Sequence, residues 1–261
     1  MIWEMEFEPA TPQGAFAKLT DAWKNDANKV FVLRAGNEVG DVKDFYNSHL
    51  EDIGLAHYFA EDVTVGDRSA QRSGKIWSEV RYDPRHQDAY RHSLNAQPLH
   101  TDGSYIPNYP NATLMACVAN AGVGGETTFI DADDLLIALE TENPELLNKL
   151  ASHSLPHARS GDRRDAKVIE NRDGGIWVNW NYYCVAPDID AGGREIADEF
   201  FNFLNQSDAI KSKTLAVKLA PGDAVTWKDE RVLHGRNAFV ANEVAERFLW
   251  KCAIDVGNFG S

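Results

Sequence analysis

Apolar positions recur at helical spacing early in the chain, with Phe16, Leu19 and Trp23 following Thr11-Pro12, and then give way to the β-branched run Val30-Phe31-Val32-Leu33. The chain is therefore predicted to open helix then strand. Asp41 is placed to cap a second helix that carries Val42, Phe45 and His49 on one side. From about 61 to 97 the pattern turns polar and irregular, which predicts a surface excursion. Between Arg68 and Arg91 six basic residues (Arg68, Arg72, Lys75, Arg81, Arg85, Arg91) stand against three acids, as a solvated loop or as a lid over an anionic ligand. Segments 113–119 and 127–130 read as strands joined at Gly122-Val123-Gly124-Gly125, a predicted hairpin. Asp131 caps a helix through Leu135, Leu136 and Leu139, and Asn143-Pro144 restarts another with Leu146, Leu147 and Leu150. After a polar, Arg-rich stretch at 159–172 and an aromatic run at 177–183, Ile196, Phe200, Phe203 and Leu204 form a further helical stripe. Segments 215–219, 224–227 and 248–256 read as strands.

Strands cluster in the middle and at the end, helices lie at the start and in insertions, and no period of roughly 20–50 residues repeats. The prediction is a mainly β chain with flanking helices, a sheet sandwich or jelly roll, with 1–261 as a single domain because no Pro/Gly/Ser linker divides it. At 261 residues, 43% hydrophobic and 25% charged, the composition is globular. A formal net charge of -14 disfavours phosphate backbones and anionic lipid, so neither nucleic acid nor membrane is an expected partner. Cys117, Cys184 and Cys252 lie far apart without a C-x-x-C, which suggests a reducing cytoplasm rather than a disulfide framework. Acids stand at the amino terminus where a secretory signal has a basic region, and no apolar run approaches a membrane span.

Three places carry candidate chemistry. In Leu99-His100-Thr101-Asp102 an imidazole and a carboxylate lie two apart, so extended backbone would put both on one face; alone, such a triplet more often marks a hydrogen-bonded pair in a loop. Segment 232–236 offers His234 on a strand, where a lone histidine is usually structural. From Arg247 the chain alternates, with Arg247, Leu249, Lys251 and Ala253 on one face and Phe248, Trp250, Cys252 and Ile254 on the other. Alone, that segment reads as an edge strand with a solvated side. Jointly, two histidines and one carboxylate on strands are the ligand set of a non-haem Fe(II) site with open positions. Such a site needs a guanidinium for the remote carboxylate of a 2-oxo acid.

At these residues the chain resembles the Fe(II)/2-oxoglutarate dioxygenases of the taurine dioxygenase and γ-butyrobetaine hydroxylase type. Pro98-Leu99-His100-Thr101-Asp102-Gly103-Ser104-Tyr105 is similar to the family's first metal segment, and Gly124-Gly125-Glu126-Thr127-Thr128-Phe129-Ile130-Asp131 to its G-G-x-T segment. Asp229-Glu230-Arg231-Val232-Leu233-His234-Gly235-Arg236, followed by Arg247, is similar to the distal histidine and cosubstrate arginine. The resemblance implies a double-stranded β-helix (jelly-roll) core, iron held by His100, Asp102 and His234, and the distal carboxylate of 2-oxoglutarate held by Thr127 and Arg247. It implies O2-dependent oxidation, by default hydroxylation, with release of succinate and CO2. Two departures stand out: Glu230 replaces the usual Asn, and Lys251 stands where taurine-type members carry a second Arg that meets an anionic substrate.

Substrate recognition is expected from Lys251, Asn95, Tyr105, Asn179 and Asn181, with Trp177, Trp180, Tyr182 and Tyr183 as an aromatic wall or, more simply, core. The expected substrate is a small polar molecule bearing a carboxylate, such as an amino acid, a betaine or a natural-product intermediate; homo-oligomerisation is left open. Two alternatives stay open, a zinc-dependent hydrolase or lyase using the same three ligands and a non-catalytic jelly-roll binding protein.

Overall fold

A computed structural model of the chain describes residues 1–56 and 76–256. In chain order the strands are β1 (Ile2–Phe7), β2 (Val30–Ala35), β3 (Gly54–Ala56), β4 (Ser78–Arg81), β5 (Gln97–His100), β6 (Ala112–Ala119), β7 (Thr127–Asp131), β8 (Ser154–Arg159), β9 (Asp162–Lys167), β10 (Ile169–Arg172), β11 (Gly175–Val178), β12 (Leu215–Val217), β13 (Ala224–Lys228), β14 (Val232–Arg236) and β15 (Phe248–Val256). The helices are α1 (Gln13–Trp23), α2 (Val42–Ser48), α3 (Leu50–Ile53), α4 (Ala132–Glu142), α5 (Pro144–Ser152), α6 (Ala191–Gln206) and α7 (Asp208–Lys213).

The larger sheet runs β1-β2-β13-β6-β15-β3, with β4 beside the other half of β15; the smaller runs β12-β7-β14-β5. All pairs are antiparallel except β1 with β2. Strand alternation splits the core. Val30 and Val32 of β2, Met115 and Cys117 of β6 and Leu249 of β15 face the smaller sheet's Phe129, Val217 and Val232. Phe31, Leu33, Leu114, Ala116, Cys252 and Ile254 face the opposite way, onto α1–α3. Both faces of β2 are therefore covered, which is why its sequence is apolar without alternation. A separate core joins α4–α7 to the smaller sheet and the β10–β11 hairpin. Asp41, Asp131, Asn143 and Asp190 cap α2, α4, α5 and α6 through side-chain oxygens.

Four expectations need correction. The chain opens with a strand, not a helix: Ile2–Phe7 alternates apolar and acidic residues and pairs with β2. Segments 113–119 and 127–130 are not a hairpin; the turn at 122–125 crosses between sheets, and β7 pairs with β14 and β12. The Arg-rich stretch holds β9 and β10, strands whose polar pattern hides them. β15 is not an edge strand but lies between β6 and the β3/β4 pair. Of the basic excursion, Arg68, Arg72 and Lys75 lie outside the described residues, while 78–81 enters the larger sheet. No helix among the described residues is long and apolar enough to cross a membrane.

His157 of β8 shows how burial couples this core to pH. The ring is fully buried; Nδ1 lies 3.2 Å from the Leu155 carbonyl oxygen, and Nε2 makes no hydrogen bond among the described residues. Burial pushes its pKa down to about 4 from an ordinary 6.5. The unfolded chain then binds the proton more readily, so this group's contribution to stability is whole above pH 6.5 and is lost as pH falls toward 4. That interval is worth about 3 kcal/mol. His157→Leu is expected to flatten the fall in urea midpoint between pH 6.5 and 4.5; an unchanged slope would place the acid sensitivity elsewhere.

Candidate metal centre and its cavity

Three donors converge between the two sheets. β5 ends on His100 and the chain turns at once, so Asp102 arrives from a turn instead of from extended backbone. His234 lies mid-strand in β14, directly opposite His100 in the antiparallel register. One ligand atom from each residue lies within 4.8 Å of the other two, and all three residues are buried. His100 Nε2 is 3.9 Å from Asp102 Oδ1, and His234 Nε2 is 3.7 Å from Asp102 Oδ2. Gly103, immediately after Asp102, has φ +55°, and a Cβ there would meet the Tyr109 ring at 2.2 Å, so the sharp turn that aims Asp102 inward requires glycine.

Surrounding contacts set the donors. His100 Nδ1 lies 2.9 Å from the Pro98 carbonyl oxygen, so Nδ1 carries the proton and Nε2 keeps its lone pair. The Gln97 amide donates to that Nε2 at 3.1 Å. Asp102 Oδ2 accepts from Thr113 Oγ1 at 3.0 Å and pairs with Lys251 Nζ at 2.6 Å. Lone pairs suited to a divalent cation are thus met by an amide and an ammonium. Burial opposes charge on Asp102, yet Lys251 together with His234 and His100 outweighs it and holds the carboxyl well below the usual carboxylate range. Burial lowers both His100 and His234, which keeps the two imidazoles neutral. Two neutral imidazoles and an ionised carboxylate, with Nε2 of His100 facing inward, fit a first-row divalent metal.

Asp229 stands behind this cluster and was not singled out as a functional residue by its sequence. It is fully buried; Oδ1 accepts from Trp227 Nε1 at 3.0 Å and from the Asp102 backbone N–H at 3.3 Å, and lies 3.9 Å from His234 Nδ1. Burial, then the charge of Asp102, pushes its pKa well up. One carboxyl therefore holds the Asp102 backbone and stands beside the His234 ring, whose Nδ1 makes no hydrogen bond among the described residues. Asp229→Ala is expected to weaken Co(II) binding by about 10–100-fold, while Asp229→Asn, which keeps an oxygen acceptor, stays nearer wild type. Equal affinities by calorimetry would remove Asp229 from the site.

A cavity of about 370 Å³ opens on the cluster. Of the residues expected to recognise substrate, Lys251, Tyr105 and Asn181 line it. Asn95 is exposed and meets the site only through its backbone, and Asn179 is buried away, donating from Nδ2 to the Ser104 carbonyl at 3.2 Å. The aromatic run divides: Trp180 is core against Phe200, Trp177 packs beside Arg172 and Arg231, and Tyr182 and Tyr183 face the cavity. Tyr90 and Arg159 also line it without having been anticipated. Arg159's polar neighbourhood gave no periodic signal, and Tyr90 sits in the irregular excursion.

Thr127 and Arg247 lie off that cavity. Thr127 is buried at the start of β7. Arg247, 2% exposed, donates from Nε to the Gly125 carbonyl at 3.1 Å, and its Nη1 makes no hydrogen bond among the described residues. Burial pushes the guanidinium down to about 9, aided by nearby Arg236, leaving it charged at neutral pH. Gly125, at φ +79°, would place a Cβ 3.0 Å from Arg247 Nε.

Known proteins share this frame. Gamma-butyrobetaine dioxygenase from Homo sapiens is 26% identical over 162 residues, covering 58% of this chain and 42% of that protein. The chain spans about half the length of the curated relatives it matches first. Asparagine oxygenase, solved with Fe(II), 2S,3S-3-hydroxyasparagine and succinate, superposes with TM-score 0.68 at 13% identity, covering 94% of this chain and 79% of that one. The non-heme iron oxygenase OrfP, solved with Fe and alpha-ketoglutaric acid, gives 0.66 at 14% identity, covering 98% and 94%. Residues 14–253 match the family described as Taurine catabolism dioxygenase TauD, TfdA family, and the chain belongs to it.

Proposed function

We propose that this chain is an Fe(II)- and 2-oxoglutarate-dependent dioxygenase, one catalytic domain on a double-stranded β-helix core, that hydroxylates an unactivated C–H bond of a small metabolite bearing a carboxylate. One observation carries it: His100, Asp102 and His234 bring their ligand atoms within 4.8 Å of one another in a chain of this family. In this reading those three hold iron, and Thr127 with Arg247 holds the distal carboxylate of 2-oxoglutarate. The orphaned Nη1 of Arg247 supports an anionic partner, because a buried guanidinium without one is costly. Iron with 2-oxoglutarate and O2 supplies oxidising power that no side chain has, yielding succinate and CO2 beside the hydroxylated product.

The chain's own residues do the rest. Thr113 and Lys251 orient the Asp102 carboxylate toward the metal position. Lys251 carries three N–H groups, so it can hold Asp102 and still offer a donor to a substrate carboxylate in the cavity. Tyr105 and Asn181 line the same space and orient the remainder of the substrate. Asparagine oxygenase and OrfP are solved with a hydroxyasparagine and with hydroxyarginines, so amino acids lead the candidates.

The test is a panel of amino acids, betaines and related carboxylates incubated with Fe(II), 2-oxoglutarate and O2. The expected result is succinate formed in step with a product 16 mass units heavier than its substrate, the mass of one added oxygen atom. Tight zinc binding with metal-dependent hydrolysis would favour a zinc enzyme instead, and absence of succinate under every condition would reject catalysis of this kind.

A further inference from the structure

β14 carries His234 and Arg236 two positions apart, on one side of the strand. The histidine belongs to the metal cluster; the arginine has no role in it. Arg236 is buried, and no carboxylate pairs with it among the described residues. Its Nη2 instead reaches three backbone carbonyl oxygens, those of Tyr90 at 3.0 Å, Ser93 at 2.9 Å and Asn95 at 2.6 Å. Burying a guanidinium is expensive unless its N–H groups are satisfied; Nη2 finds these three carbonyls, while Nε makes no hydrogen bond among the described residues.

The segment held in this way is a ledge over the cavity. At its base the Tyr82 N–H donates to the Arg247 carbonyl and the Asp83 N–H to the His92 carbonyl. At its tip Tyr90 and Arg91 line the cavity, and the Tyr90 hydroxyl donates to the Tyr183 hydroxyl at 2.7 Å, joining the ledge to the opposite wall. Arg236 thus ties the ledge to β14, the strand that bears His234.

We propose that Arg236 is a positioning residue for the substrate side of the site: by clamping the backbone at Tyr90, Ser93 and Asn95 it fixes Tyr90 and Arg91 relative to His234. Arg236 also stands opposite Thr127 in the β14–β7 register and near Arg247, so its loss acts first on substrate affinity and to a smaller extent on 2-oxoglutarate, while the three metal donors stay in place. Only this kinetic consequence rests on the dioxygenase function proposed above.

The experiment uses the full chain and has two arms. In metal-free hydrogen exchange, Arg236→Met is expected to speed exchange of amides in 86–96 about tenfold or more, with α6 unchanged and Arg236→Lys in between. In steady-state kinetics with the best-oxidised member of the carboxylate panel, KM for that compound is expected to rise about tenfold, and by about threefold or more beyond any rise in KM for 2-oxoglutarate. Unchanged exchange in 86–96 would overturn the clamp, and so would KM for 2-oxoglutarate rising as much as KM for the substrate. If the panel yields no substrate, the function proposed above fails while the exchange arm still decides the clamp. Should Arg236→Met be insoluble, Arg236→Lys and Arg236→Gln carry both arms.

Discussion

Replacing Asp102 by alanine is expected to abolish tight binding of a divalent metal. Among the described residues Asp102 is the one carboxylate of the three-donor cluster, it lies within 4 Å of Nε2 on both histidines, and Lys251 with the two histidines holds its pKa down against burial. Without it the site offers two neutral imidazoles beside an uncompensated ammonium, an electrostatic environment that repels a cation. Removing a residue that merely orients a ligand typically costs about 10–100-fold in metal affinity, so losing the charged ligand itself is expected to cost more than about a hundredfold. Calorimetric titration of Co(II) into wild type and variant measures this. Retained affinity in Asp102→Ala would show that the metal, if any, is held elsewhere.

Arg247→Met is expected to leave metal affinity nearly intact and to weaken 2-oxoglutarate. The guanidinium is enclosed, one nitrogen is committed to the Gly125 carbonyl, and Nη1 is orphaned. A carboxylate that pairs there does so away from water, where truncating one partner of a buried charge pair costs about 2–5 kcal/mol, or roughly 30- to 3000-fold in affinity. Anaerobic titration of 2-oxoglutarate into the Mn(II) protein reads the loss directly. Parallel loss of metal would mean that Arg247 supports the fold, and unchanged 2-oxoglutarate affinity would assign its carboxylate to another cation.

That His100, Asp102 and His234 come together was legible because each sits in a short motif whose residue types suit a divalent metal. The alternation of Arg247, Leu249 and Lys251 also read correctly, but its meaning did not. A charged face looks like an edge strand until the strand is known to be central, with Arg247 buried and Lys251 on the cavity wall. Pairing was least legible. Nothing local in 113–130 distinguishes a hairpin from a crossover, because the partner of β7 is β14, about a hundred residues on. Asp229 and Arg236 escaped for a related reason. Each is an ordinary charged residue at one end of the Asp229–Arg236 motif, and only packing shows that one holds the Asp102 backbone while the other holds three carbonyls. Of the two asparagines thought to act together, Asn181 reaches the cavity and Asn179 does not, since β11 has ended and the chain turns into the Tyr182–Cys184 3-10 turn between extended backbone and cavity wall.

The most direct measurement is the visible spectrum of the anaerobic Fe(II) protein as 2-oxoglutarate is added. A weak metal-to-ligand charge-transfer band that saturates with 2-oxoglutarate in wild type, and is missing in His100→Ala, is the predicted result. No band in wild type, or the same band in the variant, would contradict iron held by His100, Asp102 and His234.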